Sequence, residues 1–548
     1  MVLIVRNCSV SNSGFWGFDH RNYGILWILL SHALFINEST INTIFALKIK
    51  GNKIEERSPK SSQRNTAIQS SMNHQLINEL TNQRIIKRMK KAIFAFLLLY
   101  SLQGYSQEMW GISNSNYSGN MGIFLNPSTI VGAPYKYEIN FIAADFFAEN
   151  TYIYFPQRYK IIPRTITNDV APGKQYFFRT GGGLQQGYSH ILVIGPSYIK
   201  NLGDHAWGLH SAFRTEASLT DIPTSLAYAF YGNFRTPDIF GIRTSAPKFS
   251  LAEATWIELG GTYGKVRFDT EKHYLKWAAT GNLLIGMNGL YGDFRKTEYT
   301  VLDTFNTVFH NVDATIGNAI DNDGLISFRG AGLSTTLGAT YMKKHNSGGF
   351  ECNRSNDNIK KYDYRIGVSL MDLGTIRYFR KSQVVNVMTT TDRLWTGIDS
   401  ADFSAGGINP LIATNLTATV EDKGFYMWLP TALSAQFDYS FTSKIYGNLS
   451  VVKRIHFTAN QIARADQVNL SGRYETRSFE GNVNFSLYEF KQPSMGIGLR
   501  YKFFVIGSDR LLQLIGLSDV QAFDFFFGFK WQFCKRPFSP GPDCAAYN

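Results

Sequence analysis

Residues Phe523–Phe533 read FDFFFGFKWQF, with an aromatic side chain at every odd position and Asp524, Phe526, Gly528, Lys530 and Gln532 between them. Side chains of an extended strand point alternately to opposite faces, so the segment has one continuous aromatic face and one mostly polar face. A soluble sandwich could bury such a face against a second sheet. However, the pattern recurs along most of the chain, and no stretch supplies the continuous apolar layer that a sandwich of this size requires. Lipid can cover the face instead, and a tilted strand crosses a bilayer in about 9 to 11 residues.

The composition agrees with strands rather than helices in a membrane. Only 18% of the 548 residues are charged, and 42 Phe, 29 Tyr and 48 Gly suit strands with aromatic girdles and tight bends. A mean hydropathy of −0.16 excludes a bundle of membrane helices. An export signal lies inside the chain: Met89-Lys90-Lys91, the apolar run Ala92–Tyr100 and the small residues around Ser106 predict a signal peptide over 89–106, cleaved after Ser106. Residues 1–88 lack strand alternation and read as a mis-called extension ahead of a start at Met89, or as a genuine extension with an apolar helix over Tyr23–Ile36. Residues 1–106 hold 13 of the 55 Lys and Arg and 5 of the 42 Asp and Glu, so the rest of the chain carries +5 rather than +13. Nucleic-acid binding thereby loses its main support. Cys352, Cys534 and Cys544 form neither a disulfide framework nor a zinc spacing.

Residues 107–134 are glycine-rich and not strand-like, and read as an N-terminal hatch in a barrel mouth or as a connecting loop. Alternation starts at Tyr135 and runs to Phe533, with Tyr152–Phe155 as a return strand and further strands over 187–200, 205–219, 254–268, 273–291, 295–309 and 325–343. Pro223–Phe234 reads as a short helix. The cleanest strands are Tyr362–Leu370, Leu433–Thr442, Phe479–Tyr488 and Met495–Phe503. An open edge in hydrocarbon would leave a row of unpaired backbone groups. The expected fold is therefore all-β: a closed transmembrane antiparallel barrel over 135–533, of about 14 strands (12 to 16) because single-chain bacterial barrels take even numbers. Lys343–Lys360 and Lys381–Gly424 are candidate surface loops, and Lys491-Gln492-Pro493 a periplasmic turn. Strand counting puts 381–430 on the periplasmic side, unless Leu411–Val420 is a further strand. Three prolines within 534–548 predict a periplasmic tail.

Polar residues on the lumen face of the strands are Arg365, Asp438, Arg473, Glu480, Arg500 and Lys502, read first as a network filling a narrow lumen and second as a binding site for cargo. No nucleophile elbow, phosphate loop or zinc-protease motif is present. His190, His205, His210, His273, His310 and His345 are scattered and read as girdle or loop residues. Catalysis, cofactor and metal are not expected.

The signal, Asn126-Pro127-Ser128, YRIGVSLMDL at Tyr364–Leu373, Leu429–Leu433, Leu487–Pro493 and Val505–Asp509 together resemble an uncharacterised outer-membrane barrel family of Bacteroidota. The resemblance implies a bacterial outer-membrane barrel and no established activity. More distantly the chain is similar to FadL-type channels for hydrophobic molecules, which carry Asn-Pro-Ala in a hatch that plugs a 14-stranded barrel. Asn126 and Pro127 match that motif, and Ser128 replaces the alanine. The PorP-type barrels of type IX secretion look similar in general pattern. The expected function is a passive channel or transporter for a small compound, a hydrophobic one among the options. The alternative is an anchor or assembly partner for surface or secreted proteins, acting through loops 343–360 and 381–424. Expected partners are membrane lipid, the outer-membrane assembly machinery and such surface proteins, with no nucleic acid.

Overall fold

The computed structural model describes residues 108–156, 177–179, 182–231, 237–320, 327–345, 360–398, 408–490, 492–515 and 517–533. The extension, the signal peptide, the tail and Cys352, Cys534 and Cys544 lie outside the described residues.

The aromatic strand that dominates the sequence closes the structure. Ala522–Phe533 pairs antiparallel with Tyr137–Asn150, from Tyr137 opposite Phe533 to Glu149 opposite Ala522. Between them the chain winds into a closed antiparallel barrel of fourteen strands. The strands are β1 Tyr137–Asn150, β2 Leu184–Ile194 continuing as Ser197–Asn201, β3 His205–Pro223, β4 Phe249–Asp269, β5 His273–Val301, β6 Gly330–Lys344 and β7 Tyr362–Tyr378. They continue as β8 Ala432–Ser440, β9 Ile445–Arg454, β10 Gln467–Glu475, β11 Phe479–Tyr488, β12 Gln492–Tyr501, β13 Phe504–Ser508 and β14 Ala522–Phe533. Closure gives every strand two neighbours and leaves no edge bare in the bilayer.

Burial alternates along the strands as lipid outside and a filled lumen inside require. In β8, Ala432, Ser434, Gln436, Asp438 and Ser440 are buried while Leu433, Ala435, Phe437 and Tyr439 are exposed. In β14, Asp524, Phe526, Gly528 and Lys530 point inward, and Phe529 and Trp531 stand outside. Aromatic pairs girdle the rim that carries Tyr137 and Phe533, called here the terminal rim. They include Tyr198–Trp207, Tyr263–Trp277, Tyr341–Tyr364, Tyr439–Phe441, Tyr474–Phe479 and Phe503–Trp531. Amphipathic rings favour this height, where hydrocarbon gives way to headgroups.

Several strand assignments need correction. Ile153–Tyr154 is no barrel strand: it pairs with Phe177–Phe178 in a separate ribbon, and the return strand is β2. Residues 273–301 form one strand of 29 residues, on the order of 90 Å if fully extended and far longer than a bilayer needs. Its first half pairs with β6. Its second half rises above the barrel and pairs with Asn306–Asn318, which pairs in turn with Gln383–Thr389 and Arg393–Thr396. Ala418–Glu421 completes this overhang, beside a helix over Ile408–Asn415, so the range Leu411–Val420 raised as a further strand is mostly helix and enters a strand only at its end. The overhang has its own core, with Leu219, Leu251, Leu290, Tyr299, Val312, Trp395 and Ile412 packed around a second helix, Thr224–Tyr231.

With Asn306–Asn318 outside the barrel, the strand parity closes. Segment 379–431 leaves the rim opposite the one that carries the ends of β1 and β14, whereas strand counting puts it on the same side as those ends. Glu489 and Phe490 also lie at that opposite rim, and Gln492 and Pro493, expected in a periplasmic turn, open β12 instead, while β6 ends and β7 begins at the terminal rim. The two candidate surface loops therefore emerge from opposite ends of the barrel.

Candidate functional site: two stoppers in the lumen

A ring of fourteen strands about 4.8 Å apart and tilted by about 40° has a backbone radius of roughly 14 Å, more than wall side chains alone can fill. The chain fills it with two pieces of itself. From below, Glu108–Tyr135 folds into the lumen as two single helical turns, Trp110–Ser113 and Asn120–Ile123, and a 3₁₀ turn, Pro127–Ile130. From above, the connection 455–466 bends inward, and Ala463 N donates to Ser218 Oγ on the far wall (2.9 Å).

Asn126 is the knot of this hatch. Its Oδ1 accepts from Ser128 N (3.1 Å) and Oγ (2.7 Å), capping the 3₁₀ turn, while Pro127 at the first helical position needs no donor. Its Nδ2 donates to Gln436 Oε1 on β8 (2.9 Å). A Cβ at Gly338 of β6 would lie 2.2 Å from Asn126 Oδ1, so the wall is glycine where the knot is seated. Ser369 Oγ to Leu125 O (2.5 Å) and Ser128 Oγ with Thr340 Oγ1 (2.6 Å) complete the seat.

Toward the terminal rim lies a charged tier containing five of the six lumen candidates. Asp438 accepts from both Arg473 Nη atoms (2.7 and 2.9 Å) and from Tyr362 OH (2.5 Å), with Arg365 Nη2 at 3.3 Å. Arg473 Nε reaches Glu475 (3.0 Å), and Arg500 Nε reaches Glu480 (3.0 Å). Ser115 Oγ donates to Glu480 (2.7 Å), Asn116 Nδ2 to Glu475 (2.8 Å) and Arg365 Nη2 to Asn114 O (2.6 Å), so the tier holds the hatch. On β14, Lys530 Nζ donates to Tyr117 O (2.6 Å) and Ser118 O (2.5 Å). Lys502 does not belong to this tier. It sits exposed in the turn between β12 and β13 at φ 53°, with its ammonium 5.2 Å from the centre of the Tyr501 ring. The strand ends at Tyr501, two residues earlier than the alternation suggested.

A second charged tier, which the sequence reading did not find, lies where the two stoppers meet. Arg464 of the upper connection binds Glu108 of the hatch (2.5 Å) and Asp372 of β7 (2.7 Å). Arg214 on β3 binds Asp372 (2.9 Å), Glu216 (2.7 Å) and Glu258 (3.3 Å), and lies 5.0 Å from the Trp256 ring centre. His190 and His210 are not girdle residues: they are buried in the lumen, 2.8 Å from Glu216 and 3.1 Å from Glu258. Asp372 reaches both arginines from a bulge, with φ at 52°. Burial raises the Glu108 carboxyl to about 7, against the opposing pull of Arg464. A cavity of about 20 Å³ beside this tier, lined by Met109, Met121, Phe124, Leu192, Arg214 and Arg464 among others, has room for a water molecule and not for a cargo.

The profile of the family of unknown function DUF5723 matches residues 185–509. No curated protein matches the chain. Similar solved structures include the toluene transporter TbuX of Ralstonia pickettii, at 10% identity over 79% of this chain and 100% of that one, with a TM-score of 0.36. The Pseudomonas putida toluene transporter TodX follows at 11% identity, 78% and 96% coverage and 0.32. The translocator domain of the autotransporter NalP from Neisseria meningitidis gives 8% identity, 72% and 88% coverage and 0.26. Scores at this level carry no argument about function.

Proposed function

Because the chain belongs to the DUF5723 family of unknown function, membership assigns no activity, and we propose from the lumen that the protein is a bacterial outer-membrane channel in its closed state, for a small compound with apolar character. The observation that carries the proposal is the meeting of two separate stoppers at one buried ion pair, Glu108–Arg464. Besides three apolar clusters, the hatch is tied to the wall through side-chain hydrogen bonds and charged groups, which water can replace when it moves. A purely structural filling has no need of such separable contacts, since packed apolar residues fill space more stably than buried ion pairs. The apolar residues beside the upper tier, Met109, Met121, Phe124 and Leu192, would be uncovered first and favour a cargo that is not strongly polar. Both ends of the barrel sequence lie at the terminal rim, which supports a periplasmic terminal rim and an overhang outside the cell.

Planar-bilayer recording tests the reading. The wild-type protein should be closed, and a variant lacking 108–130 and shortened at 455–466 should conduct steadily. A barrel without either stopper that folds and still passes no current would end the channel assignment. The overhang favours a second reading, in which the barrel anchors surface or secreted proteins, because it is a folded unit with its own core. In that case a pull-down would lose its partner when the overhang is shortened, while conductance of the form without stoppers would not change.

A further inference from the structure

The two rims differ in what their cations do. On the overhang side Arg243 pairs with Glu298 (2.9 Å), Lys296 with Glu298 (3.0 Å), Lys248 with Asp293 (3.6 Å) and Arg295 with Asp313. At the terminal rim Lys200, Lys265, Arg267, Lys343, Arg477 and Lys502 form no carboxylate ion pair among the described residues, though Lys265 lies in the field of Asp204. The carboxylates there are engaged elsewhere: Asp204 with His205, Asp269 with Lys344, and Asp363 with Lys360 and His345. Only Glu271, beside Lys272 in the turn between β4 and β5, remains exposed and unpaired among the described residues.

Position gives these cations a meaning. Lys200 follows the girdle residue Tyr198 by two positions, Lys265 follows Tyr263 by two and Lys343 follows Tyr341 by two. Arg477 lies three beyond Tyr474, and Lys502 directly after Tyr501. Two residues of strand are about 7 Å, the step from the hydrocarbon boundary into the headgroup layer. Three of the girdle rings they follow are half exposed to the outside, Tyr263 at 48%, Tyr474 at 44% and Tyr501 at 58%. Lys343 lies over the Tyr364 ring (5.9 Å) and Lys502 over the Tyr501 ring (5.2 Å), with stems along the apolar wall and ammonium groups at the rim.

We propose that the terminal rim is a binding collar for the phosphate headgroups of anionic phospholipids, with Lys200, Lys265, Arg267, Lys343, Arg477 and Lys502 as its contacts. The collar rests on the reading of the barrel as membrane-inserted and adds what the surrounding leaflet must contain. It fits phospholipid better than a soluble acidic protein, because the charges encircle the barrel at one height and adjoin lipid-covered surface. They do not gather in one patch.

The test uses the full chain in nanodiscs of mixed phosphatidylglycerol and phosphatidylcholine, with retained lipid counted by native mass spectrometry. Wild-type protein should retain phosphatidylglycerol at least about tenfold over phosphatidylcholine, and replacing all six cations by Gln should abolish most of that preference. Replacing the four lysines by Arg should keep it, and so should Arg243→Gln with Lys248→Gln at the other rim. The proposal is overturned by a wild-type protein without preference, by a six-Gln variant that keeps it, or by displacement of the lipid with millimolar inorganic phosphate. Heat-modifiable migration of each variant reports separately whether the barrel is folded and inserted, so failure of the collar is distinguishable from failure of the membrane reading.

Discussion

Replacing Arg464 by Met should unlatch the upper end of the hatch while leaving the barrel intact. Arg464 is buried, with 4% of its side chain exposed, and holds Glu108 at 2.5 Å, Asp372 at 2.7 Å and Pro430 O at 3.2 Å. Methionine keeps much of the stem and removes the charge. Asp372 retains Arg214 at 2.9 Å, but Glu108 has no second cation in contact. Stranding one member of a buried pair costs about 3–5 kcal/mol, roughly a hundred- to a few-thousandfold in the docking equilibrium. The effect should depend on pH, and its sign follows from Glu108. Its carboxyl rises on docking from the ordinary 4.5 to about 7, so docking takes up a proton. Docking is fully favoured below about 4.5 and weakens by about 3 kcal/mol as pH rises through 7. Hydrogen exchange of the first-turn amides Ile112 and Ser113, both bonded to Met109 O, reads this out. After correction for intrinsic rates, protection should fall between about pH 5 and pH 8 in the wild type, fall much further in Arg464→Met, and be flat in Glu108→Gln. Unchanged protection in Arg464→Met at pH 8 would refute the latch. So would a loss of protection spread equally to Leu125 and Asn126 in the lower knot.

Three further perturbations probe other parts. Gly119 has φ 59°, and a Cβ there would lie 1.8 Å from Glu138 Oε2, which also binds Gln532, so Gly119→Ala should cost about 1–3 kcal/mol in strain alone. Faster exchange at the Asn120 amide, which donates to Glu138 Oε1 (2.7 Å), is the check. Phe485 on β11 is 53% exposed to lipid, and Phe485→Arg should destabilise the inserted barrel by about 2–4 kcal/mol, measured by urea unfolding in liposomes. Trp395→Ala in the overhang core should cost about 3–5 kcal/mol locally, with proteolysis of the overhang at urea concentrations where the barrel's heat-modifiable band is unchanged.

The barrel was legible because a lipid-facing strand has few ways to be written. Phe529 and Trp531 outside and Asp524 and Lys530 inside follow from position parity alone, and β8 obeys the same rule at every position from Ala432 to Ser440. The lower charged tier was legible for the same reason: Arg365, Asp438, Arg473, Glu480 and Arg500 occupy lumen positions of regular strands. Arg214 and Glu216 occupy equivalent alternate positions of β3, so the signal for the upper tier was partly present. Arg464 and Glu108 could not be found that way, because each lies on an irregular segment where side-chain direction has no fixed period. Asp372 points inward only through its bulge, which no two-residue rhythm records.

The overhang shows the limit of the rhythm more sharply. Along β4 the odd positions make one face of the strand: Phe249 and Leu251 are buried in the overhang core, whereas Leu259 and Tyr263, further down, are 47% and 48% exposed. Alternation reports that one face avoids water, and it is silent on whether lipid or protein covers that face. The expected strand over 295–309 therefore counts toward the barrel although it joins the end of β5 to the start of Asn306–Asn318 above the membrane, and counting it reverses the side assigned to 381–430. Length is what separates the two cases: a strand of 29 residues cannot lie wholly within a bilayer crossed by about 10, so β5 must leave the membrane partway along. The strand that pairs with its upper half has to leave with it.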